Sequence, residues 1–137
     1  MIGGSSLEKV DHIGIAVRSI DQVLPFYQNV MKLELTKTEE VPSQGVKVAF
    51  LQALNTKLEL LEPIHPDSAI AKFIEKKGEG MHHVAFLVDD IEAEVKRLKS
   101  EGARLVQETP QPGAGGAKVI FLHPKQANGV LYEICEK

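Results

Sequence analysis

MHHVAFLV, residues 81–88, repeats a pattern first met at VDHIGIAV, residues 10–17. Both stretches are short, dominated by apolar residues, and read as strands with a histidine at the third position. His12 and His83 stand 71 residues apart, and the agreement continues at that offset. Val17 falls on Val88, Ile20 on Ile91, Asp21 on Glu92, Val48 on Val119, Phe50 on Phe121 and Leu51 on Leu122. Three extra residues in the second copy then move the offset to 74, where Glu59 falls on Glu133, Leu58 on Tyr132 and Leu60 on Ile134. Self-similarity at a fixed offset is the mark of a duplicated structural unit. The expected fold class is therefore α+β, a single domain over 1–137 with a first βαβββ module at 8–63, a linker helix at 64–79 and a second βαβββ module at 80–137.

The local signals fill in these modules. Residues 19–31 read as an amphipathic helix with Ser19 and Gln22 at capping-box spacing, and Pro25 is expected to kink or loosen its early turns. Residues 46–53 and 56–63 read as strands joined by a tight hairpin. Residues 67–78 read as a short helix opened by Asp67 or Ser68 and closed by Gly78. Asp89 and Glu92 have capping spacing for a helix over 89–102, which Gly102 terminates. Residues 117–124 and 129–136 read as the closing strands, and TPQPGAGG, residues 109–116, as an irregular loop.

Composition excludes several classes. A chain of 137 residues with 43% hydrophobic and 26% charged residues is an ordinary globular chain with enough length for a core. The net charge of −3, with no dense basic run, offers no footprint for nucleic acid. No apolar run approaches the ~20 residues that span a bilayer, so no membrane partner is expected. Residues 1–10 lack the regions of a signal peptide, and GGSS reads as a flexible leader. The single cysteine, Cys135, rules out an internal disulfide framework, suits a reducing cytoplasm, and sits in an apolar strand as a core residue.

Strand alternation chooses between the adjacent His82 and His83, because neighbours on a strand point to opposite faces. Gly14 and Ala16 share the face of His12, and Ala85 and Leu87 share that of His83. The bulky Ile13, Ile15, Val17, Val84, Phe86 and Val88 take the other face, which is expected to pack on helices. Glu59 and Glu133 likewise point opposite to the apolar residues beside them. A carboxylate within an apolar strand is costly unless paired or bound to a cation. One strand histidine alone is most often a hydrogen-bonded core residue, and one strand glutamate most often faces solvent. Four such positions in register across a repeat point instead to a shared site, and His12, Glu59, His83 and Glu133 are the candidate ligands of a divalent first-row metal ion: cobalt, manganese, zinc or nickel. His82 reads as structural, and His65 and His123, each beside a proline, as turn residues.

Residues 8–136 resemble the vicinal oxygen chelate superfamily, and within it the methylmalonyl-CoA epimerases, through VDHIGIAV, QGVKVAF, LELLEP, DSAIAKF, GMHHVAF and the FLHPK…GVLYE segment. The resemblance implies paired βαβββ modules forming an incomplete barrel around a divalent metal, an acyl-CoA substrate, a place in propionate metabolism and a homodimer. It carries the metal ligands onto the same four residues. It further implies epimerisation at C2 through an enolate stabilised by the metal, with Glu133 as both ligand and catalytic base. Members with a second catalytic glutamate carry it where this chain has Val48; Gln44 nearby is no conventional base, so a metal-bound water or another carboxylate is expected to serve. Backbone N–H groups of the 109–116 loop are candidates to meet the substrate carboxylate, and Lys118 and Lys125 to meet coenzyme A phosphates; mobile loop and solvated lysines are the simpler readings. Three alternatives share the fold: a glyoxalase I-type lactoylglutathione lyase, a ring-cleaving dioxygenase, which wants only three protein ligands, and a non-catalytic small-molecule-binding protein, which has no need of four ligands.

Overall fold

The computed structural model describes residues 7–137, and the GGSS leader lies outside the described residues. The elements run β1 (Lys9–Ala16), α1 (Ile20–Pro25), β2 (Glu34–Val41), β3 (Val46–Gln52), β4 (Lys57–Pro63), α2 (Ala69–Lys77), β5 (Gly80–Leu87), α3 (Ile91–Ser100), β6 (Gln111–Pro112), β7 (Lys118–Leu122) and β8 (Tyr132–Glu136). The order strand, helix, three strands thus occurs twice, with α2 between. Backbone contacts divide the described residues into two bodies, one of residues 12–82 and one of residues 83–137 with 7–11.

In the body 12–82 the strand order is β2-β3-β4-β1, with β1 and β4 parallel and the other neighbours antiparallel. Its core forms where the apolar face predicted for β1 meets α1: Val17, Ile20, Ala49, Leu51 and Leu60 are buried, with Ile15, Val23, Leu24 and Tyr27 packed against them. The other body repeats the order as β5-β8-β7-β6, with β5 and β8 parallel. There Val88, Ile91, Val95, Ile120 and Ile134 are buried beneath Phe86 and Leu98. Each fully buried Leu or Ile contributes about 1.5–3 kcal/mol.

One strand was not read locally from the sequence, and two local expectations are corrected. Residues 34–41 form β2, an edge strand whose mostly polar sequence, ELTKTEEV, carries no apolar face to announce it. The N-cap of α3 is Asp90, whose side chain accepts from Ala93 N–H, rather than Asp89. The loop 109–116 is partly ordered: β6 pairs with Lys118 and Val119, and a 3-10 turn spans Ala114–Gly116. Gly113 is required there, because a Cβ would stand 2.7 Å from Val119 Cγ1.

Ser19 caps α1 by accepting from Gln22 N–H, as its spacing predicts. Pro25 acts downstream of itself rather than on the early turns. The α-helical turns stop at the proline and a π-helical turn follows over Phe26–Val30, closed by Met31 N–H on the Phe26 carbonyl at 3.0 Å. Ser68 caps α2, and Gly78 ends it at φ +83°.

Leu60 has no exposed surface, and Leu54 is fully exposed. Leu60→Ala is expected to cost about 3 kcal/mol in urea unfolding followed by circular dichroism. Leu54→Ala is expected to change stability by no more than about 0.5 kcal/mol.

Candidate metal centre

Each body holds one histidine against one carboxylate, and the two arrangements match. In the parallel ladder of β1 and β4, Glu59 lies opposite Gly14, two residues past His12. In that of β5 and β8, Glu133 lies opposite Ala85, two residues past His83. The same diagonal brings His12 Nδ1 to 3.3 Å from Glu59 Oε2 and His83 Nε2 to 3.1 Å from Glu133 Oε1. Small residues on the histidine face, Gly14 and Ala85, make room for these side chains. All four are buried, between 3% and 5% exposed.

The antiparallel partners also match. Phe50 lies opposite Glu59, and Phe121 opposite Glu133. The Phe121 ring meets His83 edge to face, with centroids 5.6 Å apart. A carboxylate buried beside such residues is costly, so its charge needs a partner within the protein or a cation. Two ligand atoms on one ion at about 2.1 Å each stand roughly 3.0–3.4 Å apart, for angles between octahedral and tetrahedral. The N···O separations within both pairs fall in that range, so each pair has the donor chemistry and spacing of half a divalent-metal site.

The remaining histidines do other work. His82 is half-buried and meets Phe73 of α2 edge to face at 4.9 Å. His123 Nδ1 accepts from Lys125 N–H and caps the short turn at Pro124–Gln126. His65 lies over the Gly45 backbone, whose φ of +67° and lack of Cβ allow the close approach. Lys118 Nζ stands 4.0 Å from Glu136 Oε2, and Lys125 is exposed. Cys135 is buried with Ala85, Ala117 and Val119 on the Glu133 face of β8, as a core thiol. Val48 is buried opposite Leu61 and offers no proton acceptor.

Sequence reasoning missed three charged residues that the fold uses. Asp11 is buried and paired with Lys137 at 3.2 Å. Glu62 accepts from Ile20 N–H at 2.7 Å, and Glu136 from Ile91 N–H at 2.9 Å. The signal for the last two was present, since positions 62 and 136 obey the same 74-residue offset as Glu59 and Glu133.

A family model described as the glyoxalase/bleomycin resistance protein/dioxygenase superfamily matches residues 11–121. The mitochondrial methylmalonyl-CoA epimerase of Homo sapiens is 42% identical over 130 residues, 94% of this chain and 74% of that one. The crystal structure of methylmalonyl-CoA epimerase from Mycobacterium tuberculosis superposes with a TM-score of 0.93 at 36% identity, covering 99% of this chain and 92% of that one. A methylmalonyl-CoA epimerase in complex with methylmalonyl-CoA and NH4+ gives a TM-score of 0.92 at 38% identity, with 96% of each chain covered. The duplicated βαβββ order and its two histidine–carboxylate pairs thus have a known lineage: the chain belongs to the glyoxalase/bleomycin resistance protein/dioxygenase superfamily, beside the methylmalonyl-CoA epimerases.

Proposed function

We propose that the chain interconverts the 2R and 2S epimers of methylmalonyl-CoA, as an isomerase with one divalent metal ion. The observation that carries this reading is identity above 40% along nearly the whole chain to an enzyme of that name. In this reading the modules 8–63 and 80–137, joined by the helical linker 64–79, each bring one histidine and one glutamate. His12, Glu59, His83 and Glu133 hold the ion together. The matched diagonals of the two pairs support this assignment. Two carboxylates balance a doubly charged ion, and two neutral imidazoles complete four ligands without adding charge. Borderline imidazole and carboxylate donors suit cobalt, manganese, zinc or nickel, and cobalt is the choice with which the reading is tested.

The bound ion supplies Lewis-acid polarisation of the substrate's thioester and carboxylate oxygens. The protein's own part is proton transfer. The hydrogen at C2 lies between a thioester and a carboxylate, and a carboxylate on one face accepts it as the C–H electrons move into the acyl group. Glu133 is assigned that role. The return of a proton to the opposite face falls to a group other than residue 48, since Val48 has no acceptor atom. The burial of Glu59 and Glu133 strengthens their interaction with a proton or cation. The setting proposed is the cytoplasm, within propionate metabolism, with a homodimer as the working form. Among the described residues no helix is long and apolar enough to cross a membrane.

Deuterium exchange at C2 of methylmalonyl-CoA, run beside a methylglyoxal–glutathione assay, tests the activity. Exchange in the first and none in the second is expected; the reverse outcome makes the chain a lactoylglutathione lyase. Binding of methylmalonyl-CoA with no exchange and no metal makes it a binding protein.

Two substitutions test the site. His83→Ala is expected to abolish metal content and exchange while the fold persists, because the apolar face of β5 is untouched. His82→Ala, which removes the Phe73 contact, is expected to leave metal content unchanged by elemental analysis.

Glu133→Gln separates ligand from base. An amide oxygen still coordinates, though more weakly, but an amide does not take up the C2 proton. Deuterium incorporation on metal-loaded variant is expected to fall about 10²–10⁴-fold from one epimer and far less from the other. Equal, near-parental exchange from both epimers leaves Glu133 as a ligand only.

A further inference from the structure

We propose that Glu62 and Glu136 are positioning residues, which hold each histidine–carboxylate pair in register by tying the end of the glutamate-bearing strand to the helix that follows the histidine-bearing strand. The proposal rests on the metal reading above.

The observation is a double tie found in both bodies. In the first, Val17 N–H donates to the Leu61 carbonyl at 2.9 Å and Ile20 N–H to Glu62 Oε1 at 2.7 Å. In the second, Val88 N–H donates to the Cys135 carbonyl at 2.8 Å and Ile91 N–H to Glu136 Oε1 at 2.9 Å. Residue by residue these are the same bonds at offsets of 71 and 74. The first bond of each tie belongs to any parallel ladder. The second does not: it takes a carboxylate at one defined position, three residues after the site glutamate.

The chemistry explains why that position matters. Ile20 and Ile91 open α1 and α3, and an opening N–H has no partner inside its own helix. Ser19 and Asp90 already accept from Gln22 and Ala93, one turn further in. The two caps therefore leave the first N–H groups to the strand carboxylates, whose negative charge also suits the helix N-terminus. Alternation places Glu62 and Glu136 on the helix side of β4 and β8, and Glu59 and Glu133 on the other side. One strand thus carries a carboxylate for the helix and one for the site, on opposite faces.

The bonds of a parallel ladder do not by themselves distinguish registers two residues apart, because each N–H and C=O finds an equivalent partner in either. A slip of two residues keeps every side chain on its face, yet it moves Glu59 and Glu133 by a full repeat from their histidines. The core resists such a slip too, since it would bring Glu62 or Glu136 to the buried position of Leu60 or Ile134. The carboxylate tie opposes it as well, because the Ile20 and Ile91 N–H groups each donate to a carboxylate at one strand position. Glu136 Oε2 additionally stands 4.0 Å from Lys118, a weak exposed pair that plays no part in the tie.

The test uses the full chain and cobalt(II) chloride, read by calorimetric titration and by the visible spectrum of bound cobalt. The Glu62→Ala/Glu136→Ala double variant is expected to bind cobalt about 10-fold or more weakly, with an altered visible spectrum. Glu62→Gln/Glu136→Gln, which keeps an acceptor oxygen at each tie, is expected to recover affinity to within about threefold of the parent. Ser68→Ala removes the cap of α2, which touches neither tie. It is expected to lower stability by an ordinary cap's worth while leaving cobalt affinity unchanged. Should the double alanine variant fail to fold, Glu62→Ala and Glu136→Ala singly are read in the same way, each with weakened cobalt binding rescued by Gln. Parental affinity and spectrum in the alanine variants overturn the proposal. Equal weakening by Ser68→Ala also overturns it, because the effect is then general destabilisation. A parent chain that binds no divalent ion is a different failure: it removes the metal reading itself and this proposal with it.

Discussion

Parallel ladders join β1 to β4 and β5 to β8, and their register sets each imidazole against a carboxylate. Parallel strands cannot be joined by a tight turn, so β1 connects to β4 by a long crossover, here made of α1, β2 and β3. The crossover supplies α1 or α3 to cover one face, and that face takes the bulky residues Ile15, Val17 and Leu60, or Phe86, Val88 and Ile134. The opposite face is then free to hold polar side chains. Small residues opposite each glutamate, Gly14 and Ala85, leave space for a diagonal contact from a histidine two positions back.

Burying four ionisable groups works against stability unless each has a partner. The histidine–carboxylate distances of 3.1 and 3.3 Å meet that need within each body. A neutral imidazole is a good donor to a carboxylate but does not neutralise it, so the arrangement is stable yet still receptive to a cation. The same logic shows in Glu94, which is fully buried on α3 and held by Arg97 Nη2 at 2.7 Å. There the carboxylate has a full positive charge beside it, and the pairing raises the Arg97 guanidinium further above its ordinary range. Glu94 is held by a guanidinium, whereas Glu59 and Glu133 each stand against an imidazole.

Most of the fold was legible in the sequence because it is written twice. His12 and His83 align without gaps, and the alternation around them separates the core face from the polar face before any coordinate is known. The helix cap at Ser19 was legible for the same local reason, a hydroxyl before an apolar periodic run, and the cap of α2 was narrowed to Asp67 or Ser68, of which the structure uses Ser68. β2 was not, because an edge strand needs no apolar face and ELTKTEEV has almost none. The cap of α3 was misplaced by one residue, because Asp89 and Asp90 are chemically alike and only the turn geometry chooses between them. Of the site, the two pairs could be read from alternation and repeat. The roles of Glu62 and Glu136 could not be read from alternation alone, since an acidic residue near a strand end ordinarily faces water.

The two copies also differ, and the location of the difference carries an argument. Between β3 and β4 the chain turns tightly, with Ala53 N–H on the Thr56 carbonyl at 3.0 Å. Between β7 and β8 the connection is longer and braced instead: Gln126 accepts from Arg104 N–H and donates to the Gly102 carbonyl, and His123 N–H donates to the Arg104 carbonyl. That brace ties the longer connection to the end of α3, where the shorter one needs no such support. Three residues are gained, yet Phe121 still lies opposite Glu133 as Phe50 lies opposite Glu59. Loop length is therefore free to vary while strand pairing is not. The longer loop, with Lys125 exposed on it, is where the second module departs from the first, and it does so without disturbing either histidine–carboxylate pair.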